Sequence, residues 1–170
     1  MNDVSKFIVD TNTFITPYKS YYAPDLHPEV WEGFKNAIID CKIIILDLVK
    51  VELLDGNDWL SEWINQFDVS LILSRNDLRI INKYTEVLEY LSNSGYYTEN
   101  ALIEWSDETK ADAWLIAAAA VNNYELITLE KPNNNLSNIN KTKRAKIPDV
   151  CYHFGVKWGD IYYLRRQLGI

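Results

Sequence analysis

Cysteine, long apolar runs and positive charge are all scarce in this sequence. Its 170 residues hold two cysteines, Cys41 and Cys151. They lie far apart and neither has a CxxC partner, so neither a disulfide framework nor a zinc site is supported. Both are expected to be small buried hydrophobes in a reducing compartment. No apolar stretch approaches the ~20 residues of a membrane span. The longest candidate, Ala111–Val121, is interrupted by Asp112. The N-terminal run MNDVSKFIVDTN sets no basic head before a long apolar stretch, so it does not read as a secretory leader. A cytoplasmic protein with no membrane association is expected. Lys and Arg total 17 against 24 Asp and Glu, a net charge of −7, and the pI is near 4.8. That balance argues against a surface that is one continuous nucleic-acid clamp. It is compatible with an enzyme that meets phosphates through metal ions.

What is present describes one well-packed domain over residues 1–170. Apolar residues make up 48% and charged residues 24%, which suits a globular chain and not a disordered one. A chain of this length buries roughly two-thirds of its unfolded surface, so it needs no staple to fold. Six Trp, eleven Tyr and five Phe supply the large side chains for a core. No repeat and no linker divides the sequence. Phe7–Val9, Ile43–Leu46 and Glu125–Thr128 read as buried strands, and such runs fit parallel strands covered on both faces. Helical spacing marks 28–41, 48–54, 59–67, 78–91 and 110–122. The alternation predicts an α/β fold with a mainly parallel central sheet. Residues 131–140, rich in Asn, read as a loop. A further strand is expected over Val150–Phe154 and a helix over Trp158–Leu168.

Four acids stand where acids are awkward. Asp10 ends the first strand, where parallel sheets open into a ligand crevice. Alternatively, Asp10 or Thr11 caps the next helix. Glu52 shares a helical face with Leu48 and Val49, so it either points at the sheet or turns to the rim beside Lys50. Asp112 lies on the apolar stripe of Leu115, Ile116 and Ala119, or else completes a capping box begun by Thr109. Glu130 follows the third strand, either at the crevice or as an ordinary loop residue. Taken together, the four converge on one end of one sheet. Clustered carboxylates repel unless a cation intervenes, and Mg²⁺ or Mn²⁺ prefers such oxygen ligands. One such ion can generate hydroxide while a second stabilises a leaving oxygen, the chemistry of phosphodiester hydrolysis.

The ordered set Ile8-Val9-Asp10-Thr11-Asn12, Val51-Glu52, Ala111-Asp112-Ala113-Trp114-Leu115-Ile116-Ala117 and Ile127-Thr128-Leu129-Glu130 resembles the acidic signature of PIN-domain ribonucleases. Lys146-Ile147-Pro148-Asp149-Val150-Cys151 resembles a PIN-like family formerly labelled a domain of unknown function. The resemblance runs from about Phe7 to Phe154. It implies a three-layer α/β/α PIN-like fold and Mg²⁺- or Mn²⁺-dependent endonucleolytic cleavage of RNA. Asp10, Glu52 and Asp112 would be the core metal ligands, with Asn12 and Thr128 shaping the site by hydrogen bonds. The fourth family position is commonly aspartate; here it is Glu130, whose longer side chain would hold a second metal less closely. The resemblance also implies a toxin restrained by an antitoxin protein, and a homodimer. Thr13–His27, with Tyr18, Tyr21 and Tyr22, departs from the family pattern; it either covers the site mouth or packs locally. Lys141, Lys143, Arg144 and Lys146 either contact phosphate or form a solvated turn.

Other readings compete. A catalytically weak binding module would keep the fold and use the crevice for a protein or RNA partner. A phosphatase using Asp10 as nucleophile would carry D-x-D, but Asn12 occupies the second position. A thiol mechanism through Cys151 and His153 would need an activated thiolate, for which the sequence offers no partner. His27, beside Pro28, reads as a loop residue.

Overall fold

In a computed structural model, which describes residues 5–170, the apolar runs of the sequence form the middle of a parallel sheet. Residues 1–4, the first third of the run MNDVSKFIVDTN, lie outside the described residues. Strand β1 is Phe7–Val9, β2 is Ile43–Leu46 and β4 is Glu125–Ile127, each buried at every position. Two shorter strands, β3 (Ile72–Leu73) and β5 (Trp158–Gly159), form the edges. The order is β3-β2-β1-β4-β5, and every pairing is parallel. Ile8 pairs with Ile44 on one side and with Leu126 on the other. The chain builds outward from β1 to β3, then crosses back to lay β4 on the other side of β1. The carboxyl ends of β1 and β4 therefore flank the switch point, where open α/β sheets take their ligands.

Helices cover both faces and complete a three-layer α/β/α fold. Between β1 and β2 lie α1 (Asn12–Ser20) and α2 (Pro28–Ile39). Between β2 and β3 lie α3 (Asp47–Leu54) and α4 (Trp59–Asn65). The stretch before β4 holds α5 (Leu78–Asn93), α6 (Glu99–Ser106) and α7 (Asp112–Asn122). Last come α8 (Ile147–His153) and α9 (Ile161–Leu168). Aromatic rings join the early helices: Phe14, Trp31 and Trp63 meet edge to face or tilted, with Phe14 and Trp63 centroids 5.4 Å apart. Helix α7 is buried from Ala113 to Ala119, as a helix that is apolar all round must be. It packs along α5 and against β1 and β4.

Several expectations are corrected. Val150–Phe154 is not a strand but most of α8. Pro148 sits in the first turn, where its missing N–H is no loss, and Ile147, Val150 and Cys151 repeat at helical spacing. Cys151 and His153 therefore both lie on a helix, where Cys151 is buried and His153 exposed. Burial pushes the Cys151 thiol up to about 12, which leaves no thiolate for catalysis. The expected helix over Trp158–Leu168 starts only at Ile161, because Trp158 and Gly159 pair with β4. Cys41 is not buried: it lies exposed in the turn that ends α2, at φ 54°. Thr13–His27 begins as helix α1, and its tyrosines pack locally. Tyr18 stacks on Trp59 at 5.7 Å. Tyr22 accepts a 2.5 Å hydrogen bond from Arg165 Nη1.

Candidate functional site

The site is assembled from the carboxyl ends of β1 and β4, the second turn of α3 and the first turn of α7. Asp10 follows β1 directly, and its N–H donates to Ile127 O at 2.9 Å, so the β1–β4 ladder continues into the site. Only 6% of Asp10 is exposed. Thr128, fully buried after β4, donates from Oγ1 to Asp10 Oδ2 at 3.0 Å. The same Oγ1 accepts the Glu130 N–H at 3.2 Å. With a donor already on that oxygen, the hydroxyl proton is left to Asp10. Burial raises the Asp10 carboxyl from 3.8 to about 6; the Thr128 bond opposes the rise, and the charges of Glu130 and Glu52 add to it.

Glu52 lies on α3, half-buried, and accepts a short hydrogen bond from the Thr11 hydroxyl. It is thus turned toward β1 and not toward Lys50, whose ammonium donates to Phe67 O at 3.1 Å. Thr11 and Asp10 do not cap α1 with their side chains. Asn12 is the first residue of that helix and is exposed.

Asp112 is the first residue of α7, and no capping box forms there. Thr109 bonds Asp107 instead, with Oγ1 2.7 Å from Oδ1. Asp112 therefore owes its place on the apolar stripe to no capping role. Its carboxyl is raised from 3.8 to about 7, first by burial and then by the charges of Asp10, Glu130, Glu52 and Glu104. That Glu130 and Glu52 raise both Asp10 and Asp112, and Asp10 raises Asp112, identifies a shared crevice.

Glu130 is engaged differently. Its Oε1 accepts from Lys146 Nζ at 2.7 Å and its Oε2 from the Ile147 N–H at 2.8 Å. Lys146 is therefore committed to an acid, whereas Lys141, Lys143 and Arg144 are exposed on the preceding turn. Two further residues escaped the sequence reading. Thr11 reads in sequence as a cap candidate and as part of the Asp10-Thr11-Asn12 run, and its bond to Glu52 has no local signal. Arg75 leaves the carboxyl end of β3; it reaches Asp47 at 3.8 Å and lies 5.6 Å from the Trp114 ring centroid. Nothing in sequence announces it, because β3 is only two half-buried residues.

The donor set is hard oxygen, which suits Mg²⁺ or Mn²⁺. The neighbouring acid charges that raise Asp10 and Asp112 are the electrostatic signature of a place for a cation. Among the described residues, however, no three acidic, His or Cys side chains are gathered into a ready ligand group. Asp10, Glu52 and Asp112 thus fit an ion in chemistry and charge, and side-chain adjustment must bring them to it. Such movement is ordinary for a half-buried glutamate.

The chain belongs to a family of unknown function. Residues 7–170 match its model, described as Domain of unknown function (DUF4411). No curated protein matches the chain. Among the described residues, no helix is long and apolar enough to cross a membrane.

Proposed function

We propose that the protein is a metal-dependent endoribonuclease, hydrolysing RNA phosphodiester bonds as the toxin of a bacterial toxin–antitoxin pair. One observation carries the catalytic reading: two carboxyls, Asp10 and Asp112, are held at the sheet's switch point and raised to about 6 and about 7 by burial and by neighbouring acids. Acids kept in such conflict are relieved by a hard cation. The resemblance to PIN-domain ribonucleases supports the same ion, Mg²⁺ or Mn²⁺, and the same substrate, RNA. It also supports a PIN-like assignment for the fold, an antitoxin whose cationic side chain enters the acidic crevice, and a homodimer.

Asp10, Glu52 and Asp112 would hold the ion. A divalent ion bound there supplies an acidified water and polarises a phosphoryl oxygen. The chain's own residues set the stage for this. Thr128 directs its proton to Asp10 and fixes that carboxylate; Thr11 does the same for Glu52. Exclusion of water around Asp10 strengthens every charge interaction in the crevice. Lys141, Lys143 and Arg144 would meet the RNA backbone outside it.

The test is cleavage of a mixed single-stranded RNA panel in Mg²⁺, in Mn²⁺ and in EDTA, beside Asp10→Asn. Cleavage that needs the metal and vanishes in Asp10→Asn is expected. Folded protein that neither cuts nor binds either ion would overturn the reading. One observation favours the second reading, a catalytically weak binding module: Glu130 is paired with Lys146, and no ready ligand group is formed. On that reading the protein captures partner or RNA with the same affinity in EDTA as in Mn²⁺.

A further inference from the structure

Glu130 occupies the sequence position expected of a fourth metal ligand, yet both of its oxygens are already used. An ammonium sits 2.7 Å from one and a backbone N–H 2.8 Å from the other. Charge-assisted bonds of this length are among the stronger contacts a carboxylate makes. The Lys146 charge also opposes a divalent ion on the same carboxylate. Its partners are well anchored: Ala145, Ile147 and Pro148 on either side of Lys146 are buried. A second tie lies beside the first, where Asp149 accepts the Asn133 N–H at 3.0 Å. Glu130 and Lys146 thus close the base of the Asn-rich loop across 16 positions of chain. The consequence reaches the site through Glu130's own backbone, whose N–H meets Thr128 Oγ1 at 3.2 Å. Thr128 in turn donates to Asp10 Oδ2 at 3.0 Å.

We infer that Glu130 is a positioning residue and not a metal ligand: with Lys146 and the Ile147 N–H it forms a clamp that orients Thr128 and, through it, Asp10. The inference rests on the proposed function only in taking Asp10 as a ligand. It assigns to one ion pair both the closure of the loop and the alignment of the site. Lys146 accordingly serves the clamp and not the RNA.

The experiment titrates Mn²⁺ calorimetrically into the full chain and follows thermal unfolding of the same variants. Glu130→Ala drops the clamp and weakens Mn²⁺ binding roughly tenfold, the usual size of an outer-shell effect. Glu130→Gln keeps an acceptor for the Ile147 N–H and recovers most of that loss, whereas Asp10→Asn does not recover it. In a Thr128→Val background Glu130→Ala adds nothing further, because both act through Asp10. The Tm losses of Glu130→Gln and Lys146→Met are smaller together than their sum. Glu130→Gln losing Mn²⁺ as fully as Asp10→Asn would overturn the inference, and so would additive Tm losses. Should wild type bind no Mn²⁺ at all, the metal reading fails, and the Glu130–Lys146 Tm cycle alone decides the clamp.

Discussion

Folding lifts the Asp10 carboxyl from 3.8 to about 6 and that of Asp112 from 3.8 to about 7, in both cases chiefly by burial. Over that window the folded chain holds protons that the unfolded chain has released. The contribution of these two groups to the stability of the metal-free protein therefore falls as pH rises from about 4 to about 7 and is level above it. Asp10→Asn removes its share of this penalty. A shift of about two units corresponds to roughly 3 kcal/mol at pH 8 and to nothing below pH ~4. Thermal unfolding in EDTA at the two pH values checks this; a pH 8 Tm no higher than wild type contradicts it. A divalent ion reverses the penalty by favouring the charged forms, so Mn²⁺ raises the wild-type Tm more at pH 8 than at pH 5.5. Thr11→Val frees Glu52 and weakens Mn²⁺ binding by about tenfold without a large loss of stability. Calorimetric titration decides it, and unchanged affinity would detach Thr11 from the site. Glu52 and Asp112 are legible in sequence as acids on apolar helical stripes, and Asp10 as an acid that ends a buried strand. The Glu130–Lys146 pair was not, because an Asn-rich loop without periodicity lies between them.

At the scale of elements, the short edge strand β5 depends on a missing side chain. A Cβ built on Gly159 would lie 2.4 Å from Tyr163 Cδ1. Tyr163 cannot retreat freely, because its hydroxyl donates to Glu125 Oε2 at 2.6 Å. Burial alone would raise the Glu125 carboxyl, but the bonds from Tyr163 and Lys157 outweigh it and hold the carboxyl below its usual value. Gly159→Ala is therefore expected to cost about 1–3 kcal/mol by overpacking. Urea unfolding measures it, and a loss under ~0.5 kcal/mol would show that Tyr163 moves aside without penalty. The helices were legible wherever apolar spacing was dense, as in α2, α5 and α7. Helix α8 was misread as a strand, because its short apolar run hides a helical period that the proline at its start makes plain.

Across the whole molecule, the net charge of −7 means that, on the proposed function, RNA would be met locally. The cations offered are the exposed Lys141, Lys143 and Arg144 beside the clamp. If all three touch phosphates, replacing them with glutamine lowers the salt slope of single-stranded RNA binding by about 2. Titrations at several salt concentrations read this slope directly. An unchanged slope would return these residues to the role of a solvated turn.

The fold class, the buried middle strands and four acids in awkward places are readable in the amino-acid sequence alone. These are local properties, because a run of apolar residues or an acid on an apolar stripe carries its meaning within one element. Tertiary contacts alone set that Thr11 serves Glu52, that Thr128 serves Asp10, and that Glu130 is claimed by Lys146. Those contacts join residues across 41, 118 and 16 positions of chain. The first follows from β2 pairing beside β1 and the second from β4 pairing on its other side, and no local pattern encodes which distant donor a buried carboxylate will meet.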